Sequence, residues 1–132
     1  FGVSSISQTR RTYRQNAKTL PEYSEAVEAG QWPILRGMFL SDEDLLRREI
    51  IMRIMCHLVL PFAEINRAYN IDFTERFAPE LARLRECEED GLLRITDDRL
   101  EVTGLGRYFI RNIAMAFDAY LKPGEGRFSR TI

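Results

Sequence analysis

Histidine is almost missing from this chain: His57 is the only one among 132 residues, and only two cysteines, Cys56 and Cys87, accompany it. One imidazole excludes a multi-histidine metal site. Two thiols far apart in the sequence cannot ligate an iron–sulfur cluster by themselves, since such clusters are held by a set of cysteines. A disulfide-dense scaffold is excluded for the same reason, and the apolar, helix-like settings of both residues are those of reduced cytoplasmic proteins. No run approaches the ~18 apolar residues of a membrane-spanning helix, and no charged-then-apolar leader opens the chain, so no membrane is expected. Charge of one sign is lacking too. With 19 Lys+Arg against 20 Asp+Glu the net charge is −1, which argues against a globally basic nucleic-acid binder but leaves local basic patches. There is no fixed-period repeat and no low-complexity stretch. What is present is the raw material of one core: 45% hydrophobic side chains, eight Phe, five Tyr and one Trp. The chain opens at Phe1 rather than Met, and reads as an excised C-terminal domain.

Along the chain, Phe1 to Ile6 reads as a strand tail or pocket-lining loop, followed by a polar segment to Lys18. Pro21 near its start and Gly30 just past its end punctuate a short helix from Pro21 to Ala29. Gln31 to Leu40 reads as a connection with an extended stretch. Ser41-Asp42-Glu43-Asp44 is a strong helix start, because the serine hydroxyl can cap free N–H groups and acids favour the positive end of the helix dipole. Leu46, Ile50, Ile54 and Leu58 then recur every four residues and predict a buried stripe. Pro61 is expected to end that helix and open another, Phe62 to Tyr69, before a turn at Asn70. A third helix is expected over Phe73 to Glu89, with Phe77, Leu81 and Leu84 at helical spacing and Gly91 beyond its end. Leu92 to Ile95 and Leu100 to Thr103 read as a hairpin. A last helix is expected from Leu105 to Leu121 on a stripe of Phe109, Ile113, Phe117 and Tyr120. The fold class is therefore mainly α with a small β-hairpin, in the order of a winged helix-turn-helix.

A winged arrangement would place the Phe73 helix in a major groove. Glu75, Glu80, Glu86, Glu88, Glu89 and Asp90 on that segment repel phosphates about as much as Arg76, Arg83 and Arg85 attract them, so no nucleic acid is expected and a protein-interaction or lid role is left open. Gly104-Leu105-Gly106 lacks the context of a phosphate loop and reads as the turn into the last helix. Arg10, Arg11 and Arg14, interleaved with Tyr13, are either an anion site or a solvated loop. Arg107 and Arg111, one helical turn apart, either clamp a carboxylate or pair internally with Asp118 or the acidic third helix. No residue is assigned as catalytic or as a metal ligand.

Three blocks carry a resemblance. Gly2-Val3-Ser4-Ser5-Ile6 with Tyr13-Arg14-Gln15-Asn16 is the first, and Leu40 to Ile51 with Cys56 the second. The third comprises Gly106-Arg107, Ile110 to Leu121 and Phe128-Ser129-Arg130-Thr131-Ile132. Together they resemble the C-terminal part of the oxygen-independent coproporphyrinogen III oxidases, bacterial radical S-adenosylmethionine enzymes of haem biosynthesis. One departure is Thr9-Arg10-Arg11, where that family has Ile-Gly-Asp.

The resemblance implies that residues 1–20 are the end of a preceding barrel domain and its linker, and residues 21–132 a winged-helix-like C-terminal domain covering the substrate. It implies an N-terminal radical barrel in the same polypeptide as partner, with S-adenosylmethionine and a [4Fe-4S] cluster whose ligands lie outside this chain. The implied substrate is coproporphyrinogen III, two of whose propionates become the vinyl groups of protoporphyrinogen IX. Ile6 matches the family isoleucine beside S-adenosylmethionine. Arg10, Arg11, Arg107 and Arg111 are expected to meet the substrate's propionates. The alternative is a winged-helix module that binds nucleic acid or protein.

Overall fold

The computed structural model describes residues 2–121. The chain divides into two compact units, the first ending at Leu45 and the second beginning at Leu46. The expected division after residue 20 falls within the first unit, at the start of its helix.

The first unit is built on a three-stranded antiparallel sheet of β1 (Ile6–Gln8), β2 (Thr12–Asn16) and β3 (Ile34–Phe39), in that order. Between β2 and β3 runs α1 (Leu20–Glu28), with proline in its first turn and Gly30 beyond its end at φ +70, as its punctuation predicts. The polar segment up to Lys18 thus carries strand β2, and the extended stretch after Trp32 is strand β3. Thr12 and Tyr13 have the side chains that suit a pleated surface. Thr9 closes the β1–β2 turn, its hydroxyl accepting the Thr12 N–H at 3.1 Å. Among the described residues of this unit only Ala17 and Leu40 are buried apolar residues, while Trp32 is 82% and Phe39 86% exposed.

In α2 (Asp42–His57) Ser41 and Asp44 form a reciprocal cap: Ser41 Oγ accepts the Asp44 N–H at 3.1 Å, and the Asp44 carboxylate accepts the Ser41 N–H at 2.8 Å. The helix stops at His57, four residues before Pro61. Leu58 turns left-handed at φ 64, and its carbonyl accepts the Val102 N–H at 2.7 Å. This brings β4 (Val59–Pro61) alongside β6 (Arg99–Val102), which also pairs with β5 (Leu93–Ile95). The expected hairpin is therefore two strands of a three-stranded sheet. Helix α3 (Phe62–Tyr69) occupies its expected span and ends on Asn70 in the left-handed conformation.

The expected helix Phe73 to Glu89 is three pieces: α4 (Phe73–Arg76), α5 (Ala78–Arg83) and α6 (Arg85–Glu89). Pro79 explains the first break, because it has no N–H to give Glu75 and its ring crowds that carbonyl. The last expected helix is shorter as well, a 3-10 turn (Gly106–Phe109) leading into α7 (Ile110–Met115). Of its stripe, Ile113 and Phe117 are buried, but Phe109 and Tyr120 are exposed. The block Phe128 to Ile132 lies outside the described residues.

The second unit holds the core. Leu46, Ile50 and Ile54 of α2 pack with Leu60, Ile65, Leu100, Ile113 and four phenylalanines. Phe62 stacks on Phe73 at 4.5 Å between ring centroids, and Phe117 meets Phe77 edge-on at 5.8 Å. Gly106 lies against the Leu92 backbone, where a Cβ would fall 1.8 Å from the carbonyl oxygen. Among the described residues no helix is long and apolar enough to cross a membrane.

Candidate functional site

Directly opposed residues of an antiparallel sheet share a face. In the first unit Ile6 opposes Gln15, which opposes Arg36, and Gln8 opposes Tyr13, which opposes Met38. Two parallel rows of three side chains thus cover one face. They line a concavity of about 480 Å³ whose walls include Ile6, Tyr13, Gln15, Arg36 and Met38. Its chemistry is mixed: a 66% exposed Ile6, a thioether and a phenol beside an amide and a guanidinium. Gln15 holds the guanidinium in place, its Oε1 accepting Arg36 Nε–H at 2.9 Å. Gly37 sits where a Cβ would be 3.3 Å from the Tyr13 carbonyl oxygen, so β3 lies close to β2 at this point. The opposite face, with α1, borders a second concavity of about 680 Å³ lined by Ser7, Arg14, Asn16, Tyr23 and Trp32 among others.

Of the residues singled out in the sequence, Ile6 and Tyr13 line the smaller concavity and Arg14 borders both. Arg10 is exposed at the β1–β2 turn, and Arg11 forms an ion pair with Asp42. Arg107, on the 3-10 turn, and Arg111, on α7, are exposed in the second unit. Neither pairs with Asp118 or with an acid of α4, α5 or α6 among the described residues. Two of those acids are engaged elsewhere: Glu80 is buried beside Arg47, and the Glu88 carboxylate accepts the Ile95 N–H at 2.7 Å. Gln15, Arg36 and Met38 were not singled out as site residues. The signal that finds them is the two-residue period of β2 and β3, available only once those segments are read as paired strands.

The two thiols do not make a metal site. Cys56 is exposed on α2 and Cys87 is half-buried. Burial pushes the Cys87 thiol above its ordinary range, with Asp90 and Glu86 adding to the effect, which keeps it protonated. Among the described residues no three His, Cys, Asp or Glu side chains could hold an ion together.

Residues 40–109 match the model of the HemN C-terminal domain family, more than half of the chain. The chain belongs to the HemN C-terminal domain family. Curated relatives extend the likeness beyond those residues. The oxygen-independent coproporphyrinogen III oxidase of Thermostichus vulcanus is 50% identical over 134 residues, spanning all of this chain and 41% of that protein. The oxidase of the same name from Helicobacter pylori is 43% identical over 132 residues, all of this chain and 29% of its own length. A solved Escherichia coli structure, described as coproporphyrinogen III oxidase (HemN), a radical SAM enzyme, matches 92% of the chain at 36% identity with a TM-score of 0.85. It is matched over 28% of its own chain. This HemN C-terminal domain thus spans well under half the length of the relatives it matches.

Proposed function

We propose that this chain is the substrate-covering C-terminal part of an oxygen-independent coproporphyrinogen III oxidase, a cytoplasmic radical S-adenosylmethionine enzyme. The observation that carries this reading is that oxidases of that name match the whole chain rather than a shared module within it. The partner is then the N-terminal radical barrel of the same polypeptide, continuous with residues 1–20, and the substrate is coproporphyrinogen III. The described residues do not fit a [4Fe-4S] cluster, having two dispersed thiols, so its ligands belong to the rest of the polypeptide. They do fit S-adenosylmethionine at one point: Ile6 presents an exposed aliphatic side chain in a concavity, suited to lie against a flat heteroaromatic ring and keep water away. When bound, that cofactor supplies the radical that removes hydrogen from the substrate.

The exposed arginines serve the carboxylates of the substrate in this reading. Arg107 and Arg111 suit the task better than Arg11, which already shares Asp42. Arg10 at the sheet turn is a further candidate. The test is anaerobic turnover of coproporphyrinogen III by the oxidase that carries this chain, compared with the same polypeptide truncated before Leu46 and with the double variant Arg107→Ala, Arg111→Ala. The truncation is expected to abolish vinyl formation. The double variant should raise KM about 10-fold or more, the effect of losing a charge-assisted hydrogen bond. Full turnover by the truncated enzyme would overturn the reading.

A further inference from the structure

We infer that the row Ile6–Gln15–Arg36 is a carboxylate subsite for the tetrapyrrole substrate, with Arg36 as its anion-binding residue. The inference rests on the oxidase reading and adds a contact to it.

Three observations converge on Arg36. Its Nε–H is donated to the neutral amide of Gln15, so the head group is oriented without being neutralised. The two outer nitrogens are left for a bidentate partner, the geometry that carboxylates match. No carboxylate lies within ion-pair distance of it among the described residues, whereas Arg11, Arg47, Arg53 and Arg85 each pair with an acid. The surroundings are those of an amphipathic anion site: Met38 and Tyr13 in the adjoining row provide apolar surface, and Ile6 provides more at the far end of the same row.

Spacing decides which carboxylate is meant. Arg36 and Ile6 sit two strands apart in one row, so their backbones are separated by roughly 10 Å. If Ile6 marks the cofactor end, the group held by Arg36 is distant from the reacting carbon. A tetrapyrrole bears propionates around its rim, and one on a neighbouring ring can reach Arg36 while another is presented at Ile6. Arg36 is thus a binding and positioning residue, and moves no electron or proton.

S-Adenosylmethionine also carries a carboxylate, and the experiment separates the two sources. In the oxidase that carries this chain, the Kd of coproporphyrin III is measured by fluorescence titration and that of S-adenosylmethionine by equilibrium dialysis. Arg36→Gln should weaken porphyrin binding about 10- to 100-fold and leave cofactor binding within twofold. Arg36→Lys, which keeps the charge but loses the fork, should recover part of the porphyrin affinity. Gln15→Met, which frees Nε, should cost a few-fold. Unchanged porphyrin binding in Arg36→Gln overturns the inference, and so does a loss confined to the cofactor. If Arg36→Gln loses both ligands, recovery of porphyrin binding alone in Arg36→Lys supports the subsite, and recovery of both or neither overturns it. An unsubstituted oxidase that binds no coproporphyrin III would instead sink the oxidase reading itself.

Discussion

Glu80 is a buried carboxylate of the second unit, and its surroundings show why burying it is tolerable. Arg47 Nη1 donates to it at 3.0 Å and to the Phe117 carbonyl at 3.0 Å, while Arg83 stands 3.6 Å away. The Arg47 guanidinium also lies 5.2 Å from the centre of the Phe77 ring. Removing one partner of such a pair strands the other charge, so Glu80→Ala should lower stability by about 3 kcal/mol in chemical denaturation. Glu80→Gln, which keeps an acceptor for Arg47, should cost less. Gly106 makes a sterically harsher demand. A methyl group there would overlap the Leu92 carbonyl, and since backbone rather than a flexible side chain must move, Gly106→Ala should cost about 3 kcal/mol, at the upper end for overpacking. The same measurement checks it. Neither position stands out in the sequence: Glu80 resembles its solvated acidic neighbours, and Gly106 resembles a turn glycine.

At the scale of elements, the helix starts were readable because caps are local. Ser41 and Asp44 close their cap within four residues, and Ser41→Ala should cost about 1 kcal/mol in thermal unfolding. Asp72 begins α4 in the same way, accepting the Glu75 N–H at 3.0 Å and the Thr74 hydroxyl at 2.7 Å. These bonds hold its carboxyl below the usual aspartate range, the Glu75 N–H contributing most. A depressed pKa means that the ionised form is favoured by folding: its stabilising share is complete above the ordinary range and is lost as pH falls through the lowered value. The Tm gap between the unsubstituted chain and Asp72→Ala should therefore be widest near neutrality and narrow below about pH 4, which a pH series of melts will show. Helix ends were less legible. After Met115 the last helix tightens, the Ala116, Phe117 and Asp118 N–H groups each bonding three residues back, and tertiary donors take the carbonyls that follow: Arg83 donates to Ala116 at 2.9 Å and Arg47 to Phe117. Pro79 was a local signal for the break before α5 and was outweighed by the helical spacing of Phe77, Leu81 and Leu84.

The whole molecule contains two units of unequal character. The second buries four phenylalanines and a set of aliphatic residues, whereas the first leaves Trp32, Phe39 and Ile6 open to solvent. Amide protection follows buried apolar contacts, so hydrogen exchange on the 132-residue chain should find β1 to β3 exchanging orders of magnitude faster than Leu60, Ile65 and Leu100. Comparable protection in both would show that the sheet is stabilised by more than its own side chains. Sequence alone determined the mainly helical class, the span of α3, the hairpin strands β5 and β6, and the family, because capping, apolar periodicity and motif strings are properties of neighbouring residues. Tertiary structure decided the rest. That β2 and β3 are strands, that Leu58 turns left-handed to seat β4, and that Gln15 and Arg36 meet across a sheet all depend on partners distant in the chain, and no local pattern specifies which distant backbone will pair.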